Sequence, residues 1–205
     1  MDKNTVDQFW RKRSMQGCGR WTQPCMLEYE LTILMPHVTP NCRILDLGSG
    51  PASLSRRLLA PSASLTAVDK YGGFLDSIPP DRRTRVVCRD VIDFDYPHPY
   101  DLILLFGVVT HLDPDEELKV YEGAARGLAR SGIFAVKNQV SRTVEKVVDG
   151  YSADLDCDYV ARYPDIPGQR ERLGRFFSTV TVLPYPPEFN QWPDTEHVCF
   201  LCSET

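Results

Sequence analysis

The stretch Arg43-Ile-Leu-Asp-Leu-Gly-Ser-Gly50 is a short apolar run that closes on a glycine-rich turn. Such a run predicts a buried strand that bends sharply into the next element. Four further runs of this kind follow, at 65–69, 85–88, 101–106 and 132–136. Strands that are apolar on both faces belong in a parallel sheet that helices cover on both sides. The sequence therefore predicts an α/β sandwich.

The segment before the fifth run carries helix signals at both ends. Asp113 can cap its start, Pro114 suits the first helical position, and Glu116 completes a capping box. Gly132 would lie just past its end. Between them an apolar stripe recurs at helical spacing: Leu118, Tyr121, Ala125 and Leu128. Other apolar patterns predict helices at 5–13, 24–35 and 53–60.

Two more apolar runs lie near the end of the sequence, Ser178-Thr-Val-Thr-Val-Leu183 and Glu196-His-Val-Cys-Phe-Leu-Cys202. The loop between them is too short for a crossover helix with its turns, so the two strands must form an antiparallel hairpin. If the first strand runs parallel to the others, its loop leaves the sheet at their carboxyl edge.

Size and composition narrow the class of protein. The chain has 205 residues, of which 42% are hydrophobic and 25% charged, which suits one globular domain better than two. The net charge of −5 and the absence of a basic run longer than Arg11-Lys12-Arg13 disfavour nucleic-acid binding. The longest apolar stretch, 102–109, is far below the roughly 20 residues of a membrane span. We expect a cytoplasmic protein without a membrane partner.

The seven cysteines are irregularly spaced and odd in number, which favours reduced thiols over a disulfide framework. Cys199 and Cys202 have a metal-like spacing, but they fall in a predicted strand. Residues three apart on a strand point to opposite faces and cannot share a metal there. The four histidines are also scattered, and no metal site is predicted.

The turn after the first strand has the chemistry of a nucleotide site. Gly48 and Gly50 let the backbone approach a ligand closely, and Asp69, at the end of the second strand, can accept hydrogen bonds from ribose hydroxyls. An acid, Asp46, precedes the first glycine, and Ser53 stands where a dinucleotide-binding motif has its third glycine. A nicotinamide-dependent oxidoreductase is therefore a minor alternative.

These residues, with the terminal hairpin, resemble the class I S-adenosylmethionine-dependent methyltransferases over about residues 40 to 202. The resemblance implies a mostly parallel seven-stranded sheet with a terminal antiparallel hairpin. It also implies S-adenosyl-L-methionine as cofactor, bound by residues at the carboxyl ends of the strands: Asp46, Gly48, Ser49, Gly50, Asp69, Lys70, Tyr71, Asp90, Val91, Ile92, Phe106 and Gly107. Simpler alternatives are a turn acid at Asp46, a strand-end cap at Asp90 and a solvated carboxylate at Asp69.

Catalytic candidates follow the fourth and fifth strands. His111 comes just after the predicted methyl-transfer position and is the leading acid or base toward the acceptor, with bracing of the next helix as the alternative. Lys137, Asn138 and Gln139 leave the fifth strand at the same edge. Lys137 and Asn138 are assigned to catalysis and Gln139 to substrate binding, unless this strand end is simply solvated.

Three other segments are expected to surround the acceptor. Asp154 lies in an acid-rich stretch, 151–158, that suits a cationic or hydroxyl-rich acceptor or is a solvated loop. The hairpin loop carries Tyr185, Phe189 and Trp192, which predict a wall of the acceptor pocket or an aromatic plug against the N-terminal helices. In the N-terminal cover, Arg20 and Trp21 are assigned to the cofactor, whose carboxylate an arginine can bind bidentately, with helix bracing by Trp21 as the alternative.

The sequence thus predicts a single domain over 1–205, with a helical cap at 1–40, a cofactor-binding core at 41–140 and an acceptor-side segment at 141–205. The predicted activity is methyl transfer to oxygen or nitrogen of a small polar or sugar-like acceptor. Phe106-Gly-Val-Val-Thr-His-Leu112 is also similar to the α-N-terminal protein methyltransferases, from which Gly107 departs, so a peptide acceptor is the alternative. A non-catalytic cofactor-binding scaffold is a further one.

Overall fold

One sheet of seven strands organises the molecule, whose computed structural model describes residues 1–16, 24–153 and 155–204. The strands are β1 (Arg43–Leu47), β2 (Ser64–Asp69), β3 (Thr84–Cys88), β4 (Tyr100–Phe106), β5 (Leu128–Ser141), β8 (Thr179–Pro184) and β9 (Thr195–Ser203). Their order in the sheet is β3-β2-β1-β4-β5-β9-β8. Only β9 runs against its neighbours, so the predicted parallel sheet and terminal hairpin are confirmed. Arg20, Trp21 and Asp154 lie outside the described residues.

Helices cover both faces of the sheet. They are α1 (Lys3–Met15), α2 (Pro24–Leu34), α3 (Gly72–Leu75), α4 (Pro114–Gly127) and α5 (Ile166–Gly174), with short 3-10 turns at Met35–His37, Ser55–Leu58, Val91–Asp93, Val109–His111 and Pro187–Phe189. Leu34 of α2 and Ile44 belong to the core on one face, whereas Leu45 and Tyr121 of α4 belong to the core on the other. Cys199 and Cys202 also point to opposite faces, as the strand geometry predicts.

Helix α4 begins as predicted but faces the core differently. Asp113 and Glu116 form the capping box. The buried stripe contains Val120, Tyr121 and Ala124, whereas Leu118 and Ala125 are only partly buried. The buried face of the helix is thus shifted from the predicted stripe. Glu117, a charged residue that an apolar pattern does not include, lies on this buried face and is fully buried.

Two other predicted bounds are wrong. The segment 53–60 forms only the short 3-10 turn Ser55–Leu58, because a run between Pro51 and Pro61 is too short to sustain an α-helix without strong packing. β5 begins at Leu128, well before Gly132. Leu128 pairs with Tyr100 across an irregularity in the β4–β5 register, so Gly132 lies within the strand and does not end the helix.

The sequence patterns missed a second, two-stranded sheet. β6 (Lys146–Ser152) and β7 (Cys157–Tyr163) pair antiparallel between β5 and α5. β7 packs against α1 and against the turn Val109–His111. This ribbon therefore connects the N-terminal helix to the segment that follows β4.

A buried ion-pair network holds the ribbon against α4. Arg162 of β7, whose side chain is 3% exposed, pairs with Glu117 of α4, which is fully buried. Arg162 also donates to Glu145 Oε2 at 2.8 Å and to the Leu112 carbonyl at 3.1 Å. Arg172 Nε of α5 lies 3.1 Å from the same Glu117 carboxylate. Removing one partner of such a network leaves a buried charge poorly compensated.

We therefore expect Arg162→Met to destabilise the protein by about 3 kcal/mol, the lower end of the range for a broken buried pair, because Arg172 still faces Glu117. Denaturant unfolding followed by circular dichroism measures this. The matched control is Arg126→Met, which removes an exposed pair with Glu122 within α4 and should change stability by less than about 0.5 kcal/mol. Equal losses in the two variants would contradict a structural role for the network.

Candidate functional site

A cavity of about 620 Å³ lies at the carboxyl ends of the parallel strands. Residues at or just after the ends of β1, β2 and β3 line one half of it. The other half is lined by residues at or just after the end of β4 and by residues in the second half of β5. Helix α1 contributes Lys3, Val6 and Trp10 to the lining, and β7 contributes Tyr159 and Tyr163. Ligands of open α/β sheets bind at this edge.

The turn after β1 is pinned to the end of β2. The amides of Gly48 and Ser49 both donate to the Val68 carbonyl, at 2.8 and 2.9 Å. Gly48 has φ +70, and a Cβ there would lie 2.3 Å from Val108 Cγ2. Gly50 has φ +53, but a Cβ there would meet nothing within 4 Å. The first glycine thus permits close packing, and the second leaves its backbone open to the cavity.

Asp69 is the most constrained acid of the cavity. It is 7% exposed, and its two carboxylate oxygens accept from the amides of Gly50 and Tyr71, each at 2.9 Å. Burial raises the pKa of Asp69, while these two amides and Lys70 oppose the shift. Since a carboxylate has about four lone-pair directions, capacity for two ligand hydroxyls is left. Its burial rules out the alternative of a solvated carboxylate.

The acids at the ends of the neighbouring strands are also held in place. Asp46 is buried near the end of β1 and accepts from the Ser55 hydroxyl at 2.6 Å. Asp90, after β3, accepts from the Ile92 amide at 3.2 Å and lies 3.5 Å from Lys70 Nζ. Asp90 is therefore a local cap, as the simpler alternative has it, and at the same time part of the cavity wall.

A second open stretch of backbone follows β4. Gly107 has φ +76, and a Cβ there would meet nothing within 4 Å. Its amide donates to the Lys137 carbonyl at 2.7 Å, which ties it to the neighbouring strand β5. The cavity is thus bordered by two exposed glycine backbones, Gly50 and Gly107, on adjacent strands.

All residues assigned to the cofactor within the described ranges line this one cavity: Asp46, Gly48, Ser49, Gly50, Asp69, Lys70, Tyr71, Asp90, Val91, Ile92, Phe106 and Gly107. The structure brings them together as the topology predicts. Their binding roles stay predictions.

His111 lines the other half of the cavity. Its ring lies edge-on to Trp10 at 5.2 Å and to Tyr159 at 6.0 Å. Burial lowers the pKa of His111 to about 4, and the positive charges of Lys3 and Lys70 act in the same direction. The imidazole is therefore uncharged near neutral pH, and it can accept a hydrogen bond but is a poor proton donor.

Lys137 and Asn138 are directed to structural partners. Lys137 Nζ lies 3.6 Å from Glu30 Oε1 of α2, and both side chains are buried. The Asn138 amide exchanges two hydrogen bonds with the amide of Gln169 in α5, at 3.2 and 2.9 Å, and donates a third to the Gln139 carbonyl. Both residues border the cavity, and their polar groups already have these partners. Their assignment to catalysis stays a prediction.

Gln139 lines the cavity, whereas the aromatic residues of the hairpin loop do not. Tyr185 and Phe189 are buried, with ring centroids 4.9 and 5.5 Å from that of Tyr29 in α2. Trp192 is 44% exposed. The expectation that they form a cavity wall is therefore wrong, and Tyr185 and Phe189 instead form the aromatic plug, with their rings packed on Tyr29 of α2.

Comparison with known proteins adds to this geometry. No family model matches the sequence. A malonyl-[acyl-carrier protein] O-methyltransferase of Geobacter sulfurreducens is 30% identical over an alignment of 168 residues that covers 76% of this chain and 58% of the relative. The chain thus spans less than two thirds of that relative's length.

Solved structures match more completely in shape. The 1,6-didemethyltoxoflavin-N1-methyltransferase of Burkholderia thailandensis, with 1,6-didemethyltoxoflavin and S-adenosylhomocysteine bound, superposes with a TM-score of 0.76 at 19% identity, covering 100% of this chain and 91% of that one. The glycopeptide N-methyltransferase MtfA with sinefungin gives 0.70 at 14% identity, covering 92% and 96%. This chain has the class I methyltransferase fold. The resemblance inferred from the sequence is confirmed at this level.

On this methyltransferase fold, some cavity residues carry no local motif. The patterns treated Trp10 as an apolar position of a helix, and they did not single out Tyr159, Tyr163 or His197, all of which line the cavity. In Cys157–Tyr163, Tyr159, Ala161 and Tyr163 share one face of a strand and Asp158 and Arg162 the other. This period of two is the signal that could have revealed β7. No helix among the described residues is long and apolar enough to cross a bilayer. Within the same residues, no group of histidine, cysteine and acidic side chains is arranged to hold a metal ion.

The low pKa of His111 has a measurable consequence. We expect its ring proton signals in NMR spectra, assigned with His111→Gln, to stay constant down to about pH 5 and to shift with a midpoint near pH 4. An unfolded histidine titrates near 6.5, so unfolding takes up a proton as the pH falls from 6.5 to 4, and stability is lost over that interval. The variant should lose less stability over it. A midpoint near 6.5 would show that the ring is solvated.

Proposed function

We propose that this protein transfers a methyl group from S-adenosyl-L-methionine to oxygen or nitrogen of a small polar acceptor. The observation that carries the proposal is the set of three acids, Asp46, Asp69 and Asp90, at the ends of three adjacent strands around an open glycine backbone. This arrangement lies on a fold that known methyltransferases share.

The residues present suit this cofactor. The Asp69 carboxylate has two free acceptor directions for ribose hydroxyls, and Asp90 with the Val91–Ile92 backbone would receive the adenine. The turn with Asp46 and Gly48–Gly50 would hold the methionine part, beside Phe106 and Gly107. The space that a Cβ at Gly50 or Gly107 would enter is free, so the backbone there can contact a bound ligand.

The chemistry needs few groups from the protein. When bound, the cofactor would supply an activated methyl group. The acceptor's lone pair would form the new C–O or C–N bond as the C–S bond breaks, with the electron pair staying on sulfur and the acceptor's proton passing to solvent at the cavity mouth. The protein contributes by orienting the acceptor, an effect that can supply roughly 7 to 11 kcal/mol. Helix α1 lines the cavity with Lys3, Val6 and Trp10 and would limit the access of water to the reacting groups. Neutral His111 would accept a hydrogen bond from the acceptor.

The enclosure favours a small acceptor. The ring centroids of Trp10 in α1 and Tyr159 in β7 lie 5.1 and 5.3 Å from that of Phe9. The helix and the two-stranded ribbon therefore meet over the half of the cavity that His111 lines. The structural neighbour from Burkholderia thailandensis acts on 1,6-didemethyltoxoflavin, a small molecule. Both observations support a small acceptor over a peptide end.

Calorimetry with S-adenosylhomocysteine and with NAD(P) tests the cofactor. We expect heat of binding with the former and none with the latter, and the reverse would indicate an oxidoreductase. Mass spectrometry of small acceptors incubated with S-adenosylmethionine should then show an increment of about 14 Da. An increment on an X-Pro-Lys peptide alone would instead support the peptide alternative.

We expect Asp69→Ala to weaken binding of S-adenosylhomocysteine by about 1 to 3 kcal/mol, because charge-assisted hydrogen bonds to the ribose are lost. Calorimetry gives the affinity, and a melting curve reports any loss of the Gly50 and Tyr71 hydrogen bonds. The control, Asp101→Ala, removes an acid that pairs with Arg43 at 3.0 Å at the opposite edge of the sheet. An affinity that Asp69→Ala leaves unchanged would place the ribose elsewhere.

A further inference from the structure

The half of the cavity that lies beyond β4 can be assigned a class of acceptor; this inference rests on the proposed function. We define the acceptor compartment by Trp10, His111, Gln139, Tyr159 and Tyr163, all of which line the cavity. Asp46 and Asp69 lie at the ends of β1 and β2 and Asp90 follows β3, whereas His111 follows β4 and Gln139 lies in β5, on the other side of the sheet order. The compartment therefore lies beside the cofactor half of the same cavity.

Aromatic rings make up most of the compartment's wall. His111 lies edge-on to both Trp10 and Tyr159, with interplanar angles of 80° and 86°. Phe9 packs edge-on behind both Trp10 and Tyr159 and holds them in place. Rigid ring walls of this kind gain most from a flat, ring-shaped ligand, since stacked and edge-to-face ring pairs add to the free energy of apolar burial.

The charged side chains around the compartment already have partners. Lys3 pairs with Glu116 and lies 3.8 Å from Asp113, and Lys137 pairs with Glu30. A charged acceptor would have to displace one of these partners or be buried without one, which is costly.

The uncharged polar groups of the compartment also favour an acceptor that has no charge and few hydroxyl groups. Burial raises the pKa of both Tyr159 and Tyr163, so their hydroxyls stay protonated near neutral pH. Gln139 already donates to Thr195 Oγ1 at 2.6 Å. A few neutral polar groups can orient one hydroxyl or ring nitrogen, but a sugar, with a hydroxyl on nearly every carbon, would leave several of its polar groups unpaired.

We propose that the acceptor compartment selects an uncharged, flat ring compound that carries a hydroxyl group or a ring nitrogen and packs against the rings of Trp10, His111 and Tyr159. This narrows the acceptor predicted from the sequence by excluding sugars and cationic amines.

The test uses the full chain saturated with S-adenosylhomocysteine and pairs of probes that share a ring and differ in charge. Indole and 5-hydroxyindole are the neutral probes, tryptamine and indole-3-acetate the charged ones, and methyl glucoside the sugar. Quinolin-4-ol with its amino and carboxylate derivatives repeats the comparison on a second ring. Saturation-transfer NMR detects binding, and calorimetry gives the affinities. We expect the neutral probes of at least one ring to bind ten times more tightly than their charged partners, and the glucoside not to bind.

Two variants locate the binding. Tyr159→Ala should weaken the neutral probes at least tenfold, and Trp10→Ala should do the same. The matched control is Tyr151→Ala, which removes a tyrosine of the paired strand that is 66% exposed and lies outside the cavity lining. It should leave the affinities within twofold.

Three outcomes would overturn the inference: tighter binding of a charged or sugar probe, no binding of any neutral ring, or equal effects of Tyr159→Ala and Tyr151→Ala. In each of them the proposed function stands as long as S-adenosylhomocysteine itself binds. If that ligand fails to bind, the proposed function fails first, so the two failures are distinguishable.

Discussion

The hydrogen bond between the Gly50 amide and the Asp69 carboxylate joins the two strands on which the site is built. It fixes the direction of a buried acid and the path of a glycine turn at once, and the two amides that donate to Val68 hold the same turn from the other side. In an isolated chain, glycines such as Gly48 and Gly50 adopt many backbone conformations. In the folded protein, the parallel pairing of β1 and β2 fixes one conformation of this turn, and that conformation determines where the cavity is bordered by backbone.

Local signals explain why much of the fold could be predicted from the sequence. The strands are recognisable as short apolar runs, and the capping box joins Asp113 to a residue three positions later. Neither signal depends on a partner that is distant in sequence. The acids Asp46, Asp69 and Asp90 converge because parallel strands end at one edge. The strand topology alone therefore brings the predicted cofactor residues to one cavity. This topology can be predicted from the order of the apolar runs in the sequence.

The residues whose surroundings a pattern does not reveal have partners in other elements. Lys137 is predicted to face the acceptor because it follows the predicted fifth strand, and the buried Glu30 of α2 lies beside its ammonium group. Asn138 is paired with Gln169 of α5, and Tyr185 packs on Tyr29 of α2. A residue pattern shows which side chains are polar or aromatic. It does not show which distant helix supplies their partner.

The same long-range pairing hid the two-stranded ribbon. Its strands are half-polar, and its position depends on Arg162 meeting Glu117 and the Leu112 carbonyl. A buried ion-pair network is weak evidence for a net gain in folding free energy, but it constrains how the elements that carry the charges can pack. Here it places β7 beside His111, so an apparently structural set of charges determines where the aromatic wall stands.

The contact of Phe9 with Tyr159 also bears on how the molecule is made. The N-terminal helix leaves the ribosome early, but the strand that it packs against is synthesised about 150 residues later, and contacts of such separation form late because a long loop must close first. A nascent chain can thus complete the β1–β2 turn while its acceptor half is still open. During synthesis, a ligand that binds the cofactor half would therefore protect that half from proteolysis before the aromatic wall has formed.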